Sequence, residues 1–243
     1  MPRWPTTAEE LEAVQRALAQ RARAAQPWAP TNLAEVVVAA VFAAFPSGLH
    51  GPGAAGDHVW VAATAMRVGA ASTGQALAQA LVEGEAGAPY VAGLLALRVG
   101  ALLERAVGAL EQRPDALLVD ATGRDHPRGA GLALHLGAIL DLPSVGVTNR
   151  ALVAHCEAPG PRRGDAAPLL VGEEVVGACL RVRVGSNPLL AHAAWRTSAS
   201  TAASLVLALT DGARRTPEPL RRARTLARLA RAAGEGRVGG AHG

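Results

Sequence analysis

Asp120 stands at the end of an apolar run, Ala116-Leu117-Leu118-Val119, and opens the loop Ala121-Thr122-Gly123-Arg124-Asp125-His126-Pro127-Arg128. A run of that length reads as a buried strand. A carboxylate at the carboxyl end of a strand stands where α/β sheets build their sites, because the loops there vary while the sheet holds them in place. Such an acid is either satisfied by backbone amides or part of a site. Asp125 lies in the same loop and can approach Asp120, and carboxylate oxygens are the ligands that hard divalent ions take. Arg128 can contact a phosphate or pair with Asp120.

The elements that position these residues follow from hydrophobic periodicity. Thr7 to Ala25 carries apolar positions at helical spacing, with Thr7 as the cap and Glu9 and Glu10 in the first turn. Glu35 to Phe45 is β-branched and nearly continuous in its hydrophobicity, as a central strand requires. His58 to Arg67 reads as a second strand and Ser72 to Leu81 as a weaker third, so close together that an antiparallel meander is the simplest connection. Pro89 to Gln112 changes to a helical period. Then come the Asp120 strand, a helix from Gly129 to Leu140 and a short strand from Ser144 to Thr148. This alternation implies parallel pairing onto the first sheet. Leu169 to Val171 and Val175 to Val184 form a hairpin about Gly172 and Glu173, and Ser198 to Thr210 is a helix. These readings make residues 1–211 a single domain and residues 212–243 a basic tail, with a short helix near Leu220 to Ala233 and a Gly-rich, partly disordered end.

With 243 residues, half of them hydrophobic, the chain can bury a substantial core. No apolar run is long enough to cross a bilayer, and the polar N-terminal stretch reads as that of a cytoplasmic protein. Cys156 and Cys179 have no metal-ligand spacing and read as free thiols. The net charge of +4 is carried without a single Lys. Any role that needs a lysine ammonium is therefore closed. The arginines concentrate between Arg214 and Arg237, which is compatible with contact to nucleic acid or with a solvated basic face.

Several motifs stand in one order: Pro89-Tyr90-Val91-Ala92-Gly93 with Leu97-Arg98, then Leu118-Val119-Asp120, His126-Pro127-Arg128, Leu142-Pro143-Ser144-Val145-Gly146-Val147 and Asn187-Pro188-Leu189. Together they resemble the endonuclease V family over roughly residues 33 to 211. The resemblance implies a ribonuclease H-like α/β fold, a mixed sheet of three antiparallel strands followed by parallel strands, flanked by helices. It implies DNA or RNA as partner, cleavage near deoxyinosine or inosine, and magnesium held by acidic side chains. Carried over position by position, it makes Asp120 and His126 the catalytic residues. Tyr90, Gly93, Arg128 and Arg196 become the nucleic-acid contacts, with Tyr90 either stacking on a base or capping a helix start.

The remaining family positions are changed. The first-strand Asp falls at about Val41, the helix Glu on Val99, a Lys on Asn149, and a late acid or His on Trp195. Asp120 with Asp125 is the metal set that survives, and a single carboxylate holds magnesium poorly without further anionic partners or substrate phosphates. The expectation is a nucleic-acid-binding protein with degraded or lost metal-dependent cleavage. One alternative is an active endonuclease with a reduced metal site. Another is a reused fold in which Val41, Val99 and Trp195 offer an apolar former active site to a protein partner or small ligand.

Overall fold

Two runs without a polar side chain, β1 (Val37–Ala44) and β4 (Ala116–Val119), lie side by side and parallel, with Val41 beside Val119. Residues 4–239 are described by this computed structural model. On one side of β1 follow β2 (His58–Arg67) and β3 (Ala78–Glu85), each antiparallel to its neighbour. On the other side β5 (Ser144–Thr148) pairs parallel with β4. The antiparallel strands β8 (Leu189–Ala193), β7 (Glu174–Leu180) and β6 (Ala166–Val171) then complete one sheet, in the order β3-β2-β1-β4-β5-β8-β7-β6. The expected meander followed by parallel strands is present. The expected hairpin is the far edge of the same sheet, joined through β8.

Helices cover both faces because successive side chains of a strand point to opposite sides. Val37, Ala39 and Val41 pack into the layer under α1 (Ala8–Ala24), α2 (Leu95–Gly108) and α3 (Leu132–Leu140). Val38 and Ala40 pack into the layer under α4 (Ala199–Ala208) and the start of α5 (Glu218–Gly239). The Thr7 hydroxyl accepts from the Glu10 amide and the Glu10 carboxylate accepts from the Thr7 amide, so α1 begins on a capping box.

Several boundaries differ from the periodicity, among them α3, which begins at Leu132, and β7, which ends at Leu180. The helix expected from Pro89 begins only at Leu95, because Gly93 takes φ +82° and the Tyr90 amide bonds the Pro52 carbonyl. The third strand sits at Ala78–Glu85, after a tight turn at Val68–Ala70. In the segment after 211, the short helix expected near Leu220 to Ala233 is present but longer, as the 22-residue helix α5. Its Leu220, Ala223 and Ala227 are buried, and Ala227 packs with Trp60 and Phe42 on β2 and β1. An amphipathic stripe inside an arginine-rich sequence drives this docking. The last residues of the Gly-rich end, 240–243, lie outside the described residues.

Candidate functional site

Beyond Val119 the Ala121 amide bonds the Val119 carbonyl, and this turn leaves Asp120 on the wall of a cavity of about 280 Å³. Tyr90, Leu95, His126, Thr148, Arg150 and Leu152 share that wall. Tyr90 is half exposed at the rim. Asp120 does not pair with Arg128. Its Oδ2 accepts from Arg224 Nη2 of α5 at 3.1 Å. The register of β1 on β4 explains how α5 reaches it: one step beyond the Val41–Val119 pair lies Phe42 beside Asp120, and the Arg224 guanidinium carbon sits 5.1 Å from the Phe42 ring centre.

Gly93 is a hub of the cavity lining. Its carbonyl accepts from Gln15 Nε2, His126 Nε2 and Arg128 Nη2, each at 3.0 Å. A Cβ on Gly93 would stand 3.2 Å from Arg128 Nη2 and 3.3 Å from His126 Nε2, so a side chain there would crowd the hub as well as strain a positive φ. The Arg128 amide donates to His126 Nδ1. With one ring nitrogen donating and the other accepting, His126 is the neutral Nε2–H tautomer. Burial, its largest influence, pushes the imidazole below its ordinary pKa, in agreement with that tautomer. His126 therefore holds the Gly93 loop, and both nitrogens are spent on the backbone rather than on proton transfer. Arg128 is likewise occupied, by Gln15 at 2.6 Å and Glu12 at 3.3 Å.

Arg98, buried on α2, secures the rim. It donates to Asp57 at 2.9 Å, to the Ala54 and Ala88 carbonyls, and lies over the Phe45 ring. The loop between β1 and β2 is thereby tied to the start of the Tyr90 segment. That loop supplies the Pro52 carbonyl that fixes Tyr90.

Asp125 does not approach Asp120. It is fully buried, and its carboxylate accepts the amides of Leu152, Val153 and Ala154 at 2.8 to 2.9 Å. His192, also fully buried, places Nδ1 3.7 Å from Asp125 Oδ2 and Nε2 2.7 Å from Thr148 Oγ1, while the Thr148 hydroxyl donates to the Arg150 carbonyl. Burial lowers the His192 pKa and the Asp125 charge opposes that shift. This chain of side chains shapes the 148–154 wall of the cavity.

Other expected site residues are elsewhere. Val41 faces the α1–α3 layer at 1% exposure, so Phe42 rather than Val41 is the strand neighbour of Asp120. Val99 is 4% exposed in the same layer. Trp195 stands at the opposite end of the sheet: its amide bonds Ser144 Oγ, its carbonyl takes the Ser144 amide, and its indole faces Asp141. Ser144 pairs with Leu117, three residues and so roughly 10 Å along the strand from Asp120. Arg196, at φ +52°, pairs with Asp141 at that same end. Asn149 is exposed, whereas its neighbours Thr148 and Arg150 line the cavity. Buried as they are, Val41, Val99 and Trp195 offer no apolar surface to a protein partner.

The donor set does not fit a magnesium ion. Among the described residues Asp120 is the only carboxylate on the cavity wall, and it already faces a guanidinium. Among the described residues, no three His, Cys, Asp or Glu side chains are grouped to hold a metal. Magnesium sheds water reluctantly and needs more anionic partners than this.

Four contributors were missed from the sequence: Gln15, Phe42, Arg150 and Arg224. Gln15 carried a signal, as a polar residue on the apolar stripe of an amphipathic helix. Phe42 would have needed the strand register, and Arg224 was hidden among the other arginines of its segment.

The family model for endonuclease V matches residues 51–225. The endonuclease V of Nocardia farcinica is 40% identical, with 96% of each chain covered. The crystal structure of endonuclease V from Streptomyces avermitilis superimposes with a TM-score of 0.83 at 36% identity, covering 96% of each chain. That of Ciona intestinalis endonuclease V, in complex with a 24mer DNA containing an inosine followed by a ribo-adenosine, shares the fold at 18% identity, with a TM-score of 0.72 over 91% of this chain and 96% of that one.

Proposed function

Because the chain belongs to the endonuclease V family, a family of nucleic-acid endonucleases, we propose that it binds DNA or RNA at the Asp120 cavity and has lost metal-dependent cleavage. The observation that carries this reading is the Asp120–Arg224 ion pair at 3.1 Å. Asp120, the one carboxylate on the cavity wall among the described residues, is neutralised from within the protein. A divalent ion would have to displace a guanidinium and would gain a single anionic ligand.

Binding is supported by the cavity itself. It has apolar walls at Leu95, Leu132 and Leu152, polar groups at Gln15 and Thr148, and an aromatic rim at Tyr90. That combination suits a nucleobase turned out of its strand, stacked on an aromatic ring and oriented by hydrogen bonds. The Ciona relative was crystallised with inosine-containing DNA, and an inosine base is the occupant we assign to this cavity. Arg150 lies exposed at the cavity mouth, placed to meet the adjoining phosphates.

The test uses labelled DNA and RNA, with and without inosine, in magnesium or manganese. Binding should weaken steeply as salt rises, as phosphate contacts require. Cleavage should not exceed that of Asp120→Ala. Magnesium-dependent cleavage abolished by Asp120→Ala would overturn the reading and make the protein a working nuclease.

A further inference from the structure

Two contacts make Arg224 a fixture of the site, and a buried donor beside them has no partner among the described residues. Its Nη2 donates to Asp120, its guanidinium lies over Phe42, and its Nε is buried with no partner. One turn further along α5, Arg228 is exposed and its guanidinium carbon lies 5.8 Å from the same ring centre. At the start of α5, Glu218 is already shared by Arg221 and Arg222. Arg224 and Arg228 are therefore left to face the end of β1 and β4.

We propose that Arg224 is the resident cation of this site: its guanidinium stands where the family's divalent ion would be needed and receives a nucleic-acid phosphate without any metal, with Arg228 as the second, outer contact. The phosphate half of the proposal rests on the nucleic-acid reading above. Charge decides the argument. An uncompensated Asp120 would repel a phosphate brought to the cavity mouth, and Arg224 removes that repulsion permanently. A guanidinium carries five donors, of which one is committed to Asp120. Planar donors of this kind match phosphate oxygens, and their charge does not depend on the supply of an ion or on pH near neutrality. The Phe42 ring beneath both guanidinium groups holds them through cation–π contact where a carboxylate would instead attract a metal.

The experiment has two arms on the full chain. In the first, manganese binding is followed by electron paramagnetic resonance without nucleic acid. The natural protein should show no submillimolar binding. Arg224→Glu, which replaces the cation by a carboxylate reaching toward Asp120, should gain it, and Arg224→Asp repeats the measurement if Arg224→Glu does not fold. In the second, anisotropy of an inosine-containing oligonucleotide is compared in EDTA and in magnesium. Affinity should be the same in both. Arg224→Ala should weaken it about tenfold in EDTA, whereas Arg113→Ala, an exposed arginine at the other end of β4, should cost about twofold or less. Submillimolar manganese binding by the natural protein, no gain in either acidic variant, dependence of its affinity on magnesium, or equal losses in Arg224→Ala and Arg113→Ala would overturn the proposal. If the natural protein bound no oligonucleotide in either buffer, the nucleic-acid reading and the phosphate contact would both fall. The manganese arm would still decide whether Arg224 holds the ion's place.

Discussion

Asp125→Ala separates a wall-building carboxylate from a metal ligand. Three amides, those of Leu152, Val153 and Ala154, converge on this one side chain at 2.8 to 2.9 Å. A hydrogen bond to a charged group contributes about 1.5–3 kcal/mol, and the full sum is not recovered because the loop can relax and rehydrate its amides. Leu152 and Val153 are exposed as residues, so water can reach part of what is lost. The expected cost is about 3 kcal/mol in urea unfolding, a large share of the 5–15 kcal/mol that holds a domain together. Asp125→Asn keeps one carbonyl but turns an amine toward at least one amide, and should cost about half as much. Hydrogen exchange gives the local reading: protection at 152–154 should collapse in Asp125→Ala while that of β1 falls only with global stability. A stability change below about 1 kcal/mol with protection intact would refute the assignment.

Two further outcomes follow from burial. His135 stacks against Trp4, and burial pushes its pKa down to about 4. The unfolded chain therefore takes up a proton near pH 6.5 that the folded chain refuses until about pH 4. Stability is level above pH 6.5 and falls through that window by about 3 kcal/mol from this group alone. His126 and His192, both lowered by burial, act in the same direction. A urea midpoint unchanged between pH 7.5 and 4.5 would contradict this, and His135→Phe should flatten the fall. Deletion from Arg214 onward strips the buried Leu220, Ala223 and Ala227 from the sheet and exposes Phe42 and Trp60. The loss, about 5 kcal/mol, should remove cooperative unfolding near neutral pH. A soluble truncated chain with an unchanged melting transition would show that α5 is dispensable.

The fold was legible because its long-range order is written in local period. β1, β2, β4, β5 and the β6–β7 hairpin all lie where apolar runs or alternation put them, and the swap from strand to helical spacing after residue 89 correctly announced parallel pairing. The helix expected near Leu220 to Ala233 is present in α5, but its docking on the sheet was not foreseen because arginine content masked a stripe of small and apolar residues. Leu220, Ala223 and Ala227 carry the spacing of a buried face, and the long side chains around them hide it.

The site was legible in its fixed points and not in its partners. Asp120, Tyr90, Gly93 and His126 do meet at one cavity, since strand ends and a positive-φ glycine are local facts. What acts on Asp120 depends on register, and a single step along β1 exchanges the two faces of the sheet. Val41 then belongs to the core and Phe42 to the site. The same step changes the chemistry, because the position beside Asp120 is an aromatic ring that gathers two guanidinium groups rather than a small apolar gap awaiting a lost acid. With Arg224 paired to the surviving carboxylate, restoring one acid at Phe42 would bring a second negative charge to a place already neutralised. Metal binding here thus requires removal of a cation as well as addition of an anion.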